Sequence, residues 1–155
     1  MGTRRRAREL AMQALFYMDA NQNASAQMLE RFCENFNPPQ KARPFFMKLV
    51  TGVLEAKPQI DTLIERFSKN WRVRRMSCVD RNVMRVAVFE MLSCPDIPPK
   101  VSINEAIDIG KKFGTEESGA FINGIIDSIR IAIEEGEIQI EKPTETAKNT
   151  SEKTD

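Results

Sequence analysis

The residues best suited to binding chemistry lie near the start of the chain, where a cluster of arginines precedes a run of mostly apolar residues. Four residues recur at the 3.6-residue period of an α-helix, on a stripe apart from that helix's apolar side: Arg5, Arg8, Met12 and Phe16. Arginine forms forked hydrogen bonds to phosphate, and phenylalanine can stack on a base or fill a protein pocket, as binding of single-stranded RNA requires. The same stripe would also suit solvated arginines beside two residues that pack on a neighbouring helix. The residues alone leave both interpretations open.

Catalysis finds little support in the residue types. The chain contains no histidine, which removes the commonest general base and every Ser-His or Cys-His nucleophile. Glu116 and Glu117 could form a catalytic pair, but acids at a helix start already favour the helix dipole. Gly114 and Gly119 have the glycine spacing of a phosphate loop, yet Ala-Phe follows where Lys-Ser/Thr is required. We therefore expect no enzyme, no metal site and no cofactor.

Composition predicts one cytoplasmic domain. The 155 residues suit a single core, and no apolar run approaches the roughly 18 residues of a membrane-spanning helix. Cys33, Cys78 and Cys94 lie far apart without a C-x-x-C pair, which indicates reduced, mostly buried thiols. The arginine-rich start imitates a secretory signal, but its apolar residues recur at helical spacing.

Charge is unevenly distributed along the chain. Residues 134–155 hold seven acids and three bases, so that 15 acids and 20 bases remain before them. Residues 137–155 have no aromatic side chain and are predicted to form a disordered acidic tail behind a helical domain of residues 1–136. A second basic group fits solvated loop edges and stays unassigned: Arg66, Lys69, Arg72, Arg74 and Arg75.

The elements that would position these residues are helices. No stretch shows sustained alternation of apolar and polar residues, so the pattern predicts an all-α fold of about seven helices. Their predicted ranges are 3–20, 26–36, 41–56, 58–71, about 77–92, 102–114 and 116–135. Ser77-x-x-Asp80 and Ser102-x-x-Glu105 both resemble capping boxes, and Gly114 suits a helix end. The helix from residue 77 is apolar on nearly every side and should be central.

Four segments, in order, resemble the NusB family of transcription antitermination factors. They read RRRARELAMQALF at 4–16, VDRNVMRVAVFE at 79–90, VSINEAI at 101–107, and KKFG at 111–114 leading to FINGIID at 121–127. The resemblance spans about residues 3–133. It implies an all-α fold of two three-helix subdomains.

The resemblance also implies a function and a set of site residues. Proteins of the NusB family pair with NusE, a ribosomal small-subunit protein, and the pair binds the boxA element of nascent ribosomal RNA, which helps RNA polymerase resist termination. By position, six residues would face RNA: Arg4, Arg5, Arg6, Arg8, Lys111 and Phe121. Three would belong to the NusE side: Phe16, Asp80 and Glu117. The family often has Tyr at the position of Phe16 and Asp at that of Glu117, so the hydrogen bonding there differs.

Two alternatives remain. A similar domain precedes the catalytic part of some ribosomal RNA cytosine methyltransferases, but no methyl-donor site or catalytic cysteine motif follows residue 133. A helical module that binds only protein would make the arginines a solubility feature, and salt dependence would separate it from an RNA binder. A second copy of the chain could cover the basic face, so the sequence suits both a monomer and a homodimer.

Overall fold

A computed structural model describes residues 2–138, and this part of the chain is helical without a β-strand. The six α-helices are α1 (Thr3–Ala20), α2 (Ala26–Phe36), α3 (Arg43–Phe67), α4 (Cys78–Ser93), α5 (Pro99–Phe113) and α6 (Ser118–Glu134). A 3₁₀ turn, Val73–Arg75, connects α3 to α4. The predicted all-α class is confirmed. Most of the predicted acidic tail, residues 139–155, lies outside the described residues.

The predicted third and fourth helices are one continuous helix, α3, so six α-helices replace the expected seven. Pro58 lies inside it, although proline removes one helical hydrogen bond and clashes with the preceding turn, at a cost of about 3 kcal/mol. Beyond Pro58 the helix buries Ile60, Leu63 and Ile64. Burial of each stabilises the fold by roughly 1.5–3 kcal/mol. Packing therefore outweighs the local rule that predicted a break.

Capping chemistry sets where α4 begins. The Ser77 hydroxyl accepts a hydrogen bond from the Asp80 backbone N–H at 3.1 Å, as the predicted capping box requires. The second predicted box is wrong, because α5 begins three residues earlier, at Pro99. Ser102 lies inside α5, where its hydroxyl donates to Glu90. Gly114 follows the last residue of α5, as predicted.

Helix α4 is the central element, as its apolar sequence indicates. It contacts α1, α3, α5 and α6, and so joins the first three helices, α1–α3, to the last two. At the crossing with α3, a Cβ atom on Gly52 would overlap the Phe89 ring. The missing side chain of Gly52 thus lets α3 approach the central helix closely.

Candidate nucleic-acid and partner interfaces

Arg8 is an interior residue, although the sequence placed it on an exposed stripe. Its guanidinium donates to both carboxylate oxygens of Glu90 on α4, at 2.9 and 2.8 Å, and the residue is 3% exposed. Met12 is buried as well. Of the predicted stripe only Arg5 and Phe16 reach the surface. The exposed position predicted for Arg8 is therefore wrong, because α5 covers the residue and Glu90 neutralises it inside the core.

Arg5 lies at the surface and joins α1 to α5. Its Nε atom donates to Glu105 at 2.7 Å, and a second nitrogen donates to Asp108 at 2.9 Å. The hydrogen bond that Arg5 donates to Glu105, together with the negative charge of that carboxylate, raises the pKa of Arg5. These two contacts hold the Arg5 side chain against α5.

The neighbouring arginines of α1 are exposed and also paired. Arg4 donates to Asp96 at 3.2 Å, and this hydrogen bond lowers the pKa of the Asp96 carboxyl. Arg6 lies 3.7 Å from Glu9, which also accepts a hydrogen bond from Lys112 at 2.7 Å. Each contact ties an exposed cation to a carboxylate of this chain.

Lys111 completes this surface from α5. Its alkyl chain crosses the start of α6, where a Cβ atom on Gly119 would lie 2.8 Å from the Lys111 Cε atom. The glycine therefore makes room for the lysine. The surface as a whole has five cations, of which Arg5 is half-buried, and four carboxylates, of which Glu9 is buried: Arg4, Arg5, Arg6, Lys111 and Lys112 with Glu9, Asp96, Glu105 and Asp108. One net positive charge remains, so phosphate groups must compete with these carboxylates.

Phe121, in the first turn of α6, is half-buried against an aromatic partner that sequence reasoning missed. The Trp71 ring lies edge-to-face on it, with ring centroids 5.5 Å apart and planes at 68°. Trp71 is 52% exposed. The signal in the sequence was a lone tryptophan beside the second basic group, which the pattern assigned to a solvated loop.

An apolar groove of about 470 Å³ lies at the other end of α1. Phe16, 39% exposed, projects into it. Its walls come from four helices and include Gln13, Tyr17, Phe32, Phe36, Val79 and Phe113. A buried carboxamide oxygen of Gln13 and a buried carboxylate oxygen of Asp80, next to Val79, have no hydrogen-bond donor among the described residues. Each such unsatisfied buried atom costs roughly 1–3 kcal/mol.

A polar cluster fixes the start of α4 beside this groove. Asp19 accepts two hydrogen bonds from Arg81, at 2.7 and 2.9 Å, and one each from Asn82 and Arg85, both at 3.0 Å. Burial alone would raise the pKa of Asp19, but the Arg81 and Asn82 hydrogen bonds and the nearby arginine charges hold it well below its usual range. Arg85 also holds Asp61 of α3 through two hydrogen bonds. The cluster therefore locks α1, α3 and α4 together.

The Cys78 thiol belongs to the same cluster. Burial and the neighbouring Asp19 carboxylate raise its pKa. Its Sγ atom lies 3.9 Å from the carbonyl oxygen of Phe16, which brings the start of α4 next to the groove. Cys33, Cys78 and Cys94 are all free thiols.

Comparison with known proteins decides the family. The model of the NusB family matches residues 5–130. The chain belongs to the NusB family. It is 58% identical over 131 residues to the transcription antitermination protein NusB of Desulfatibacillum aliphaticivorans, which covers 84% of this chain and 92% of that protein.

Solved structures of the NusB family share the fold. T. maritima NusB aligns with a TM-score of 0.74 at 40% identity, over 82% of this chain and 89% of that one. A structure of the antitermination factors NusB and NusE in complex with double-stranded RNA aligns with a TM-score of 0.76 at 26% identity, over 84% and 97%.

The residues assigned through the NusB resemblance fall into two regions of the structure. Arg4, Arg5, Arg6 and Lys111 share the α1–α5 surface, and Phe121 lies at the start of α6. Phe16 lies in the groove and Asp80 is buried in the first turn of α4, next to it. Glu117 is exposed just before α6, four residues beyond the groove residue Phe113.

Among residues 2–138 no helix is long and apolar enough to cross a membrane.

Proposed function

We propose that this chain is a transcription antitermination factor that binds boxA-type single-stranded RNA of ribosomal RNA transcripts together with NusE. The pair would promote processive transcription by RNA polymerase in the cytoplasm, through binding and without catalysis. One observation carries the proposal: α1 has exposed arginines in its first turn and the apolar groove near its other end. Arg5 and Phe16 are eleven residues apart, or about 16 Å along the helix. A single rigid helix can therefore hold RNA and a protein partner together.

The RNA side of the proposal uses the α1–α5 surface. Arg4, Arg5, Arg6 and Lys111 would contact phosphates, and Phe121 would stack on a base. Each of these arginines is paired with a carboxylate of this chain. RNA binding would therefore replace that carboxylate with a phosphate group as the partner of the arginine. Arg8 acts as a positioning residue that fixes α1 against α4, and it does not touch RNA.

The protein side uses the groove. Phe16 supplies an exposed apolar anchor, which is the type of residue that dominates binding energy when a partner covers it. Asp80, next to the groove residue Val79, would belong to the same partner side. Glu117 offers an exposed charge at the edge. NusE is the proposed occupant because a NusB structure of the same fold is a complex with NusE and RNA.

Fluorescence anisotropy of a labelled boxA-like RNA tests the proposal. The titration compares it with a scrambled RNA at matched salt, with and without NusE. We expect tighter binding to the boxA-like RNA, a further gain with NusE, and an affinity that falls steeply with salt as counterions are released. Equal, weak binding to both RNAs that NusE leaves unchanged would reject the proposal.

Matched variants assign the two surfaces. Arg5→Gln should weaken RNA binding, whereas Arg31→Gln, the same change at an exposed position of α2, should not. Phe16→Ser should reduce the gain from NusE and leave binding to RNA alone intact. If Arg5→Gln and Arg31→Gln behave alike, the α1–α5 surface is not the RNA site. A homodimer that covers this surface would appear as RNA affinity that falls when the protein concentration rises.

A further inference from the structure

Positive charge without a close ion-pair partner is concentrated at the end of α3 and in the segment that follows it, in the second basic group. Its five side chains are exposed: Arg66, Lys69, Arg72, Arg74 and Arg75. Within residues 2–138, no carboxylate lies within 4.0 Å of a charged nitrogen of any of them. The α1–α5 surface, by contrast, retains one net charge because its arginines are paired. Long-range attraction of a polyanion should therefore be stronger at this second group.

The loop of residues 68–73 is held in one shape. A Glu65 carboxylate oxygen accepts the Val73 backbone N–H at 2.9 Å, and the Ser68 hydroxyl lies 3.1 Å from the carbonyl oxygen of Trp71. Lys69 and Asn70 have φ angles of 58° and 65°, in the left-handed region. That region is unfavourable for lysine, so the surrounding contacts must impose it. The loop thus presents Trp71 in a fixed position.

Trp71 offers an aromatic surface beside these cations. It is 52% exposed, although tryptophan is mostly buried in folded proteins. Its ring packs on Phe121, the residue assigned to base stacking, at 5.5 Å between centroids. Exposed rings next to unpaired arginines are the combination with which proteins bind single-stranded nucleic acids.

We propose that residues 68–75, which comprise this loop and the 3₁₀ turn that ends it, extend the RNA-binding surface. Trp71 stacks on a base adjacent to the nucleotide at Phe121, and Arg72, Arg74 and Arg75 contact the phosphates that follow. The ligand is a single-stranded RNA that continues beyond the segment held by α1 and α5. This inference rests on the proposed function, because it assumes that RNA reaches Phe121.

Trp71 is the only tryptophan of the chain, so its fluorescence reports on this loop directly. The full chain is titrated with the boxA-like RNA and with the same RNA lengthened by single-stranded flanks on either side. We expect a change of tryptophan emission on binding and a higher affinity for one of the lengthened RNAs. Trp71→Ala should lower that affinity roughly 5- to 100-fold, whereas Trp71→Phe, which keeps a ring, should retain most of it.

The arginines are tested by salt dependence. Arg72→Gln with Arg75→Gln removes two phosphate contacts, so the slope of log affinity against log salt should become shallower by about 1.4, at about 0.7 per contact on a single strand. Arg31→Gln on α2 is the control for loss of charge and should leave the slope unchanged. Thermal melting of Trp71→Phe and Trp71→Ala checks that both variants fold.

Two results would overturn the inference while the proposed function stands. One is unchanged affinity and salt slope in the Trp71 and arginine variants, while Arg5→Gln still weakens RNA binding. The other is a Trp71→Ala protein that binds RNA normally but no longer gains affinity from NusE, since the loop would then be a protein surface. If the wild-type chain binds none of the RNAs, both the inference and the proposed function are wrong.

Discussion

Removing the charge of Glu90 should destabilise the protein strongly, because it leaves the Arg8 guanidinium buried without its counter-ion. The two side chains are 4% and 1% exposed and share two hydrogen bonds, and the next carboxylate, Glu105, is 3.6 Å from Arg8. Loss of one partner from a buried ion pair costs about 3–5 kcal/mol. Glu90→Gln keeps the shape and one acceptor, so we expect about 3 kcal/mol, or a fall in Tm of roughly 9 °C.

The measurement is thermal and urea unfolding of wild type, Glu90→Gln and the double variant Arg8→Met with Glu90→Leu. The double variant should recover most of the stability, since apolar residues of similar volume can replace a buried ion pair. Arg5→Gln is the surface control and should change the stability little, because water screens its ion pairs. Wild-type stability of Glu90→Gln would refute the reasoning. A stable double variant that has lost RNA binding would show that the Arg8–Glu90 pair serves the RNA site beyond its contribution to stability.

Three further predictions follow from other contacts. Gly52→Ala should cost about 1–3 kcal/mol of unfolding free energy, measured in urea, because its methyl group would clash with the Phe89 ring. Asp96→Asn should tighten RNA binding about two-fold in anisotropy titrations, since it frees Arg4 from a competing carboxylate. The lowered pKa of Asp19 stabilises the fold above its unfolded value of about 3.9, and this contribution is lost as pH falls through the lower folded value. Asp19→Asn should therefore be less stable at pH 7, and its stability should depend less on pH below about 4, in melts monitored by circular dichroism.

Local patterns in the sequence predicted the helices well where packing agrees with them. The all-round apolar pattern of α4 identified the central helix, and Ser77 marked its start. Pro58 was misleading because the rule for proline is local, whereas the buried residues on either side of it decide the outcome. Ser102 was misread for a related reason. Its hydroxyl donates a hydrogen bond to Glu90, which lies twelve residues earlier in the chain and on another helix.

Among the surface residues too, local patterns predicted positions along a helix but not contacts between helices. Helical periodicity placed Arg8 with Arg5 correctly on one side of α1, but it could not show that α5 covers part of that side. The pairing of Arg8 with Glu90 spans 82 positions, which no local pattern contains. Trp71 and Phe121 are 50 positions apart, so no local pattern indicated that their rings are in contact. Family resemblance supplied the functional roles, and the structure supplied the neighbours of each residue.

The polar cluster of Asp19, Arg81 and Arg85 constrains how RNA and NusE, the two proposed ligands, could influence each other's binding. It ties the end of α1 to α3 and α4, so the arginines and the groove belong to one rigid frame. A ligand shifts the affinity of another through the protein only if the protein has two states that bind it differently. A frame held in one state transmits no such shift. Cooperativity between RNA and NusE would then arise where the two ligands touch each other, and it would survive substitutions along α1 that preserve both surfaces.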